Sequence, residues 1–454
     1  MSWSAFRSPR ISRTRRTNLP VKPSGPTIMT IAVFLGSLLA AMALGIPISF
    51  SLLLCGAALM WHLDMFDAQI LAQNVINGAD SFPLLAVPFF MLAGEIMNAG
   101  GLSRRIVNFA MTLVGHIKGG LGYVAIVAAV LMAALSGSAV ADAAALSALL
   151  LPMMVAAGHD KARSAGLLAS ASIIAPVIPP SIGFVIFGVA ANVSISKLFM
   201  AGIAPGVMLG VALWFTWWYV ARKETVAVPP RKSRADVIAA FKDTTFAMVL
   251  PVIVVVGLKF GVFTPTEAAV VAAVYALLIS TLVYRELKLN QLYGLFLAAA
   301  KTTAVIMFLV AAAMVSAWLI TVAQLPAQVV TLLQPLLDSP KLLMLAIMVL
   351  VMVVGAAMDM TPTILILTPV LMPIVKAAGI DPVYFGVLFI INNAIGLITP
   401  PVGTVLNTVA GVGKVSMDEV TKGVWPFMIA QFAIMFLMVL FPQLVMVPAR
   451  WFYG

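Results

Sequence analysis

Two short runs, Pro179-Pro180-Ser181-Ile182-Gly183 and Pro400-Pro401-Val402-Gly403-Thr404, interrupt strongly apolar stretches of the chain. Paired prolines remove two backbone donors and fix φ, so no α-helix runs through either run. A helix broken in this way exposes the C-terminal carbonyls of one half and the N-terminal amides of the other. Carbonyl ends hold cations, and amide ends favour anions such as carboxylates. Two other polar interruptions, Ser136-Gly137-Ser138 and Ala356-Ala357-Met358-Asp359-Met360-Thr361-Pro362, each separate a pair of apolar arms. If each tip packs against its break, a first site combines Ser136 and Ser138 with carbonyls at Ala175, Ile178 and Pro180. A second combines Ala357 and Asp359 with Gly396, Thr399 and Val402. Hydroxyls, backbone carbonyls and one carboxylate form an oxygen-only set suited to a hard cation such as Na⁺. Ser181, Gly183, Thr361, Gly403 and Thr404, at the amide ends and the second tip, are the candidates for contact with an anionic substrate.

Each residue also has a plainer reading. Ser138 and Thr361 fit as simple caps of the following hairpin helix, with Pro362 in its first turn. That role leaves the matched breaks unexplained. Asp359 is the sharpest single residue, because a carboxylate between apolar arms is expensive and by default functional; the alternative is a place in water at a hairpin mouth. Asp142, one turn beyond Ser138, and Glu95, near a membrane face, are weaker candidates. Asn392-Asn393 sit in an apolar helix just before the second break, either as glue between helices or as lining of a cavity.

The elements that position these residues form a repeat. An offset of 221 links Pro179 to Pro400, Pro152 to Pro373, Gly158 to Gly379, Asp160 to Asp381, Gly202 to Gly423 and Pro205 to Pro426. With 454 residues, 62% of them hydrophobic and only 9% charged, the chain is a polytopic α-helical membrane protein. Continuous apolar runs exclude a β-barrel. Residues 1–28 form a basic, disordered tail, with Met29 as the expected start. The run 29–61 is either two short helices parted at Gly45-Ile46-Pro47 or one kinked helix. A polar stretch 64–80 precedes a span at 82–98 and an interfacial helix at 102–117. The first repeat, 29–220, holds the hairpin 121–157, the broken helix 161–192 and a span at 198–220. Two crossing arms fit residues 121–157 as well as a re-entrant hairpin does. A hydrophilic linker, 221–243, is placed in the cytoplasm. The second repeat, 244–454, holds spans at 244–262, 265–284 and 302–322, and an interfacial stretch at 324–337. The hairpin 341–378, the broken helix 382–413 and a last span at 423–447 complete it.

Five crossings per copy make the copies inverted. Of 27 Lys and Arg, this topology puts 16 in the cytoplasm and five outside, the remaining six lying in the tail. In a bilayer, broken backbone survives only where it is buried in protein or lines a site, and paired breaks mark a transporter's binding site.

Other chemistries find little footing. Cys55 stands alone, and His62, His116 and His159 fall near segment ends, which argues against a metal or haem centre in the bilayer. Ser136-Gly137-Ser138 has no His at membrane depth, so a serine protease is unsupported. There is no Walker A sequence or dinucleotide loop, so the chain is expected to be no enzyme, to hold no organic cofactor and to drive nothing with ATP. The net charge of +11 is read as topology signal, not as a nucleic-acid footprint.

Over residues 29–450 the chain resembles the large membrane subunit of tripartite ATP-independent periplasmic (TRAP) transporters, the DctM-like permease family. The resemblance rests on Gly94-Glu95-Ile96-Met97 with Gly101-Leu102, Ser136-Gly137-Ser138 with Ala141-Asp142, and Ile178-Pro179-Pro180-Ser181. It rests equally on Lys197-Leu198-Phe199 with Gly202 and Pro205-Gly206, and on Thr399-Pro400-Pro401-Val402-Gly403. It implies the ion-transporter fold with two inverted repeats, an elevator mechanism in a bacterial inner membrane and Na⁺ as coupling ion. It also implies a small four-helix membrane partner and a periplasmic substrate-binding protein that delivers a small organic acid. Carried over residue by residue, it places Na⁺ at Ser136, Ser138, Ile178, Pro180, Asp359 and Thr399. A stand-alone cation-coupled dicarboxylate transporter of the same fold is the alternative reading, and a channel a third.

Overall fold

The computed structural model describes residues 27–453, apart from 223, 225, 227, 326–329 and 331–333, and the tail expected at 1–28 lies almost wholly outside them. The described residues are helical, with no strand among them. The chain opens with α1 (Thr27–Ala43) and α2 (Ile48–His62), two short helices parted by a turn at Leu44–Pro47. Gly45 takes a positive φ there and Pro47 precedes α2, which decides against one kinked helix.

The polar stretch 64–80 is itself largely helical. Asp67 accepts from the amides of Gln69 and Ile70 and starts α3 (Ala68–Ala79). A 3₁₀ turn at Phe82–Leu85 leads into α4 (Ala86–Ala99), and α5 (Leu102–Val114) follows as an amphipathic arm. The first hairpin is α6 (Gly120–Ser136) and α7 (Ala139–Ala156); the first broken helix is α8 (Lys161–Ser172) and α9 (Ile182–Ala191); α10 (Ile195–Ala221) closes the first copy.

In the second copy α11 (Arg234–Lys259) starts ten residues before the expected span, because Ser233 and Asp236 form a capping box at its head. It is followed by α12 (Pro265–Leu278), a π turn at Ile279–Val283 and α13 (Leu289–Val322). The last begins well before the expected 302. At 1.5 Å per residue it is roughly 50 Å long and overshoots the ~30 Å hydrocarbon core. Of the expected interfacial stretch 324–337, much lies outside the described residues; Gln334–Leu337 is a helical turn. The second hairpin is α14 (Pro340–Ala357) and α15 (Met360–Ala377), and the second broken helix is α16 (Pro382–Gly396) and α17 (Thr404–Gly413). The expected last span divides into α18 (Met417–Leu440) and α19 (Gln443–Tyr453), because Pro442 disfavours helical backbone at the preceding Phe441 (φ −124°, ψ 78°).

The repeat has local causes. Gly158 and Gly379 take positive φ and end α7 and α15. Two residues on, Asp160 and Asp381 cap the broken helices, Asp160 accepting from the amide of Arg163 and Asp381 from those of Val383 and Tyr384. Both double-proline runs contain a cis bond, Pro179–Pro180 and Pro400–Pro401.

Charged contacts fall into two sets. Lys161 donates to the carbonyl of Lys414 (3.0 Å), Arg163 pairs with Glu224 (2.6 Å), and Arg104 and Arg105 both pair with Glu286 (2.8 and 2.7 Å), all in segments assigned to the cytoplasm. Lys197 and Lys259, assigned outside, lie over the rings of Tyr453 and Trp451. Among the described residues no such contact joins one set to the other.

Candidate functional site

Each hairpin tip meets its own break. Gly137, in the left-handed region at φ +60°, lies so close to the Pro180 carbonyl that a Cβ there would collide with it, and Ser181 stands just beyond. Only glycine combines that conformation with that approach. In the second copy the contact sits two residues before Ala357. A Cβ added at Gly396 would lie 2.7 Å from the carbonyl oxygen of Gly355. Bare peptide groups therefore face one another at both places.

The second arms are exchanged. α7 packs along α17, and α15 packs along α9, so the helix after each break is covered by the hairpin of the other copy. Met360, the first residue of α15, touches Gly183 just after the first break. The second tip thus lies beside the helix that follows the first break.

At the first tip, Ser136 is buried and its hydroxyl accepts from the Ser138 amide (3.3 Å), while Ser138 Oγ accepts from the amide of Ala141 (3.4 Å). The capping role is therefore present at Ser138. It is absent from Thr361, because Asp359 holds the N-cap position of α15 and its side chain makes no cap. The Asp359 carboxylate is exposed and instead accepts from the Thr404 hydroxyl across the break (3.3 Å). Ala175, Ile178 and Pro180 are buried, as is Gly396. Thr399 turns its hydroxyl back to the Ile395 carbonyl (2.8 Å), and the Val402 carbonyl accepts from Asn407 (2.8 Å). Ala357 and Val402 are exposed, and Gly403 takes a positive φ. Ser181 is wholly buried, its hydroxyl donating to Pro176 and accepting from the Phe184 amide, so its side chain is committed to starting α9.

Asp142 is fully buried. Neither carboxylate oxygen has a well-formed hydrogen bond among the described residues, and the Ser136 hydroxyl is the polar group turned towards it. Glu95 is half-buried beside Gly94, which lies against Ser136. The two asparagines separate. Asn392 donates to the Met348 carbonyl on α14 (2.6 Å), as glue does, whereas Asn393 donates within its own helix to Phe389 (2.7 Å). No group of three or more His, Cys, Asp or Glu among the described residues is arranged to hold a metal ion.

Residues 35–444 match the family described as "Tripartite ATP-independent periplasmic transporter, DctM component". The chain is a TRAP transporter large permease. It is 57% identical over 423 residues, 93% of its length and all of the relative's, to the 2,3-diketo-L-gulonate TRAP transporter large permease protein of Escherichia coli K12. It is 38% identical to the sialic acid TRAP transporter large permease protein of Vibrio cholerae, over 90% of this chain and 96% of that one. To the C4-dicarboxylate TRAP transporter large permease protein of Pseudomonas aeruginosa it is 35% identical, over 88% and 94%. Among solved structures, the Alcanivorax borkumensis YdaH transporter superposes with TM-score 0.64 at 16% identity, covering 94% of the permease and 99% of that chain, a likeness of fold.

Sequence reading missed one polar cluster of this permease. Glu224, just past α10, pairs with His159 (2.6 Å) and Arg163 (2.6 Å) at the turn between hairpin and broken helix. Burial pushes the Glu224 carboxyl up, but His159 and Arg163 outweigh it and hold the group below the usual carboxylate range. The signal available was an acid directly after Arg222 and Lys223 at the head of a basic linker.

Proposed function

We propose that this permease imports a small organic acid anion together with Na⁺, its hairpins and broken helices moving as an elevator against the remaining spans. The observation that carries the reading is the duplicated meeting of hairpin tip and helix break, at Gly137 with Pro180 and at Gly355 with Gly396. Peptide carbonyls beside the Ser136 and Ser138 hydroxyls in one copy, and beside Asp359 in the other, offer the oxygen-only surroundings that a hard cation takes. The amide ends of α9 and α17 open at the two breaks, which suits the carboxylate of a substrate.

The relatives named for diketogulonate, sialic acid and C4-dicarboxylates support an organic acid as cargo, and the 57% identity to the first makes a sugar acid the first to try. The three-part family supports a small four-helix membrane subunit, a periplasmic binding protein and a place in a bacterial inner membrane. The test is uptake of labelled 2,3-diketo-L-gulonate and of a C4-dicarboxylate into proteoliposomes holding the permease with its small subunit. Binding protein is added or withheld, and Na⁺ and pH gradients are varied separately. Uptake that needs inward Na⁺ and the binding protein is expected. Uptake indifferent to Na⁺ overturns the coupling, and uptake without binding protein favours a stand-alone carrier.

A further inference from the structure

Asn392 and Asn393 are neighbours in α16, both buried, and they use their amides differently. Asn392 Nδ2 crosses to α14. Asn393 Nδ2 stays within α16, donating to Phe389; the Oδ1 atoms of both are buried without a hydrogen-bond partner among the described residues, and it is that of Asn393 that stands at the second tip. That oxygen faces the point where the second tip meets its break: it lies 3.9 Å from where a Cβ on Gly355 would stand, and Gly396 Cα lies 3.7 Å from the same place. The Gly355 carbonyl opens on the same spot, 2.7 Å from a Cβ added to Gly396.

We infer that Asn393 supplies a side-chain oxygen to a monovalent cation held between Gly355 and Gly396, an inference that rests on the Na⁺ reading above. An unpaired amide oxygen in a dry interior costs about 1–3 kcal/mol and is kept where something fills it. A hydrogen-bond donor from the protein would fill it, but none is within reach among the described residues. The oxygens there satisfy the two donors of a water but give nothing to its own lone pairs. A cation needs only oxygens, which is what the surroundings offer.

The copies differ at this point. The repeat equivalent of Asn393 is Ser172, a shorter side chain whose hydroxyl donates to the Leu168 carbonyl (2.7 Å), so the first break carries no amide oxygen at this place. Asn393 therefore distinguishes the second position from the first.

The test uses Na⁺ alone as probe, on the permease purified with its small subunit. Thermal stability is followed as NaCl replaces choline chloride at constant ionic strength. The midpoint in Na⁺ is expected to rise about five- to tenfold in Asn393→Ala, the loss of one ligand's worth of interaction. Asn393→Asp keeps the shape and adds a charge, and is expected to lower the midpoint below that of wild type. Asn392→Ala, which removes the glue, is expected to lower stability at every concentration with the midpoint unchanged. If wild type responds to Na⁺ and neither Asn393→Ala nor Asn393→Asp moves the midpoint, the inference is overturned while the Na⁺ reading stands. If wild type itself does not respond, both fall. Should Asn393→Ala not fold, Asn393→Asp decides: an unchanged midpoint sinks the ligand role.

Discussion

The carboxylate of Asp359 and the hydroxyl of Thr404 are 3.3 Å apart, which joins the second hairpin tip to the first residue of the helix beyond the second break. The partners are 45 residues apart in sequence, and neither is needed to start the helix it belongs to: Asp359 makes no side-chain cap, and α17 is headed by Gly403. Asp359→Asn keeps the shape and removes the charge. The Na⁺ concentration for half-maximal uptake is expected to rise about tenfold, in line with losing an interaction with a charged group. Unchanged Na⁺ dependence in proteoliposomes removes Asp359 from the site. Thr404→Val, which cuts the same link from the other side, is expected to shift it in the same direction.

Ser138 caps α7 and belongs to the proposed first site, and two substitutions part these roles. Ser138→Ala loses cap and hydroxyl, at about 1 kcal/mol of stability, whereas Ser138→Gly keeps most of the capping preference and costs only a few tenths. Both are expected to raise the Na⁺ requirement for uptake. If Ser138→Gly transports with wild-type Na⁺ dependence, the residue is a cap and nothing more.

Gly137 and Gly158 both take positive φ, but they differ in surroundings. A Cβ at Gly137 meets the Pro180 carbonyl, whereas Gly158 has nothing within 4 Å. Gly158→Ala is expected to cost only the conformational penalty of about 1–2 kcal/mol, visible as a modest fall in thermal stability. Gly137→Ala adds displacement of tip from break, so uptake is expected to vanish even in preparations that still fold. Equal losses in the two variants count against the tip as a working part.

Glu224 ties the end of α10 to the turn before α8 through His159 and Arg163. Its carboxyl is held below the usual carboxylate range in the folded chain, so its contribution is fully present above the unfolded value of about 4.3. That contribution is lost as pH falls through the lowered folded value. Wild type minus Glu224→Gln stability is therefore expected to be flat from neutral pH to about 5 and to shrink below it. A difference that grows on acidification contradicts the pairing. Near neutral pH the substitution is expected to cost about 2 kcal/mol, because it leaves Arg163 and a buried His159 without their anion.

The breaks, the hairpins and their repeat were legible because proline and glycine act through the backbone alone, whatever packs around them. Pro179-Pro180, Pro400-Pro401, Gly158 and Gly379 stop helices in isolation as they do in the fold. Boundaries set by side-chain caps were less visible. Ser233 with Asp236 extends a helix into the stretch read as a linker, and Asp67 with Gln69 creates one in the stretch read only as polar. Least legible were contacts between distant segments. Counting along the chain gave Asp359 as a candidate, but not Thr404 as its partner. It pointed to the residues around Ala357 at the second tip, whereas the close approach is at Gly355. The exchange of second arms between copies, α7 onto α17 and α15 onto α9, is a matter of packing that no local pattern encodes.

Where Gly137 rests on Pro180 there is no side chain in the joint, and hence no rotamer to swing and no stem to lengthen. A seam of main chain on main chain yields only by moving whole segments. In the elevator motion proposed above, this tip and this break travel as one body, and sliding of one past the other would tear open the seam instead of flexing it.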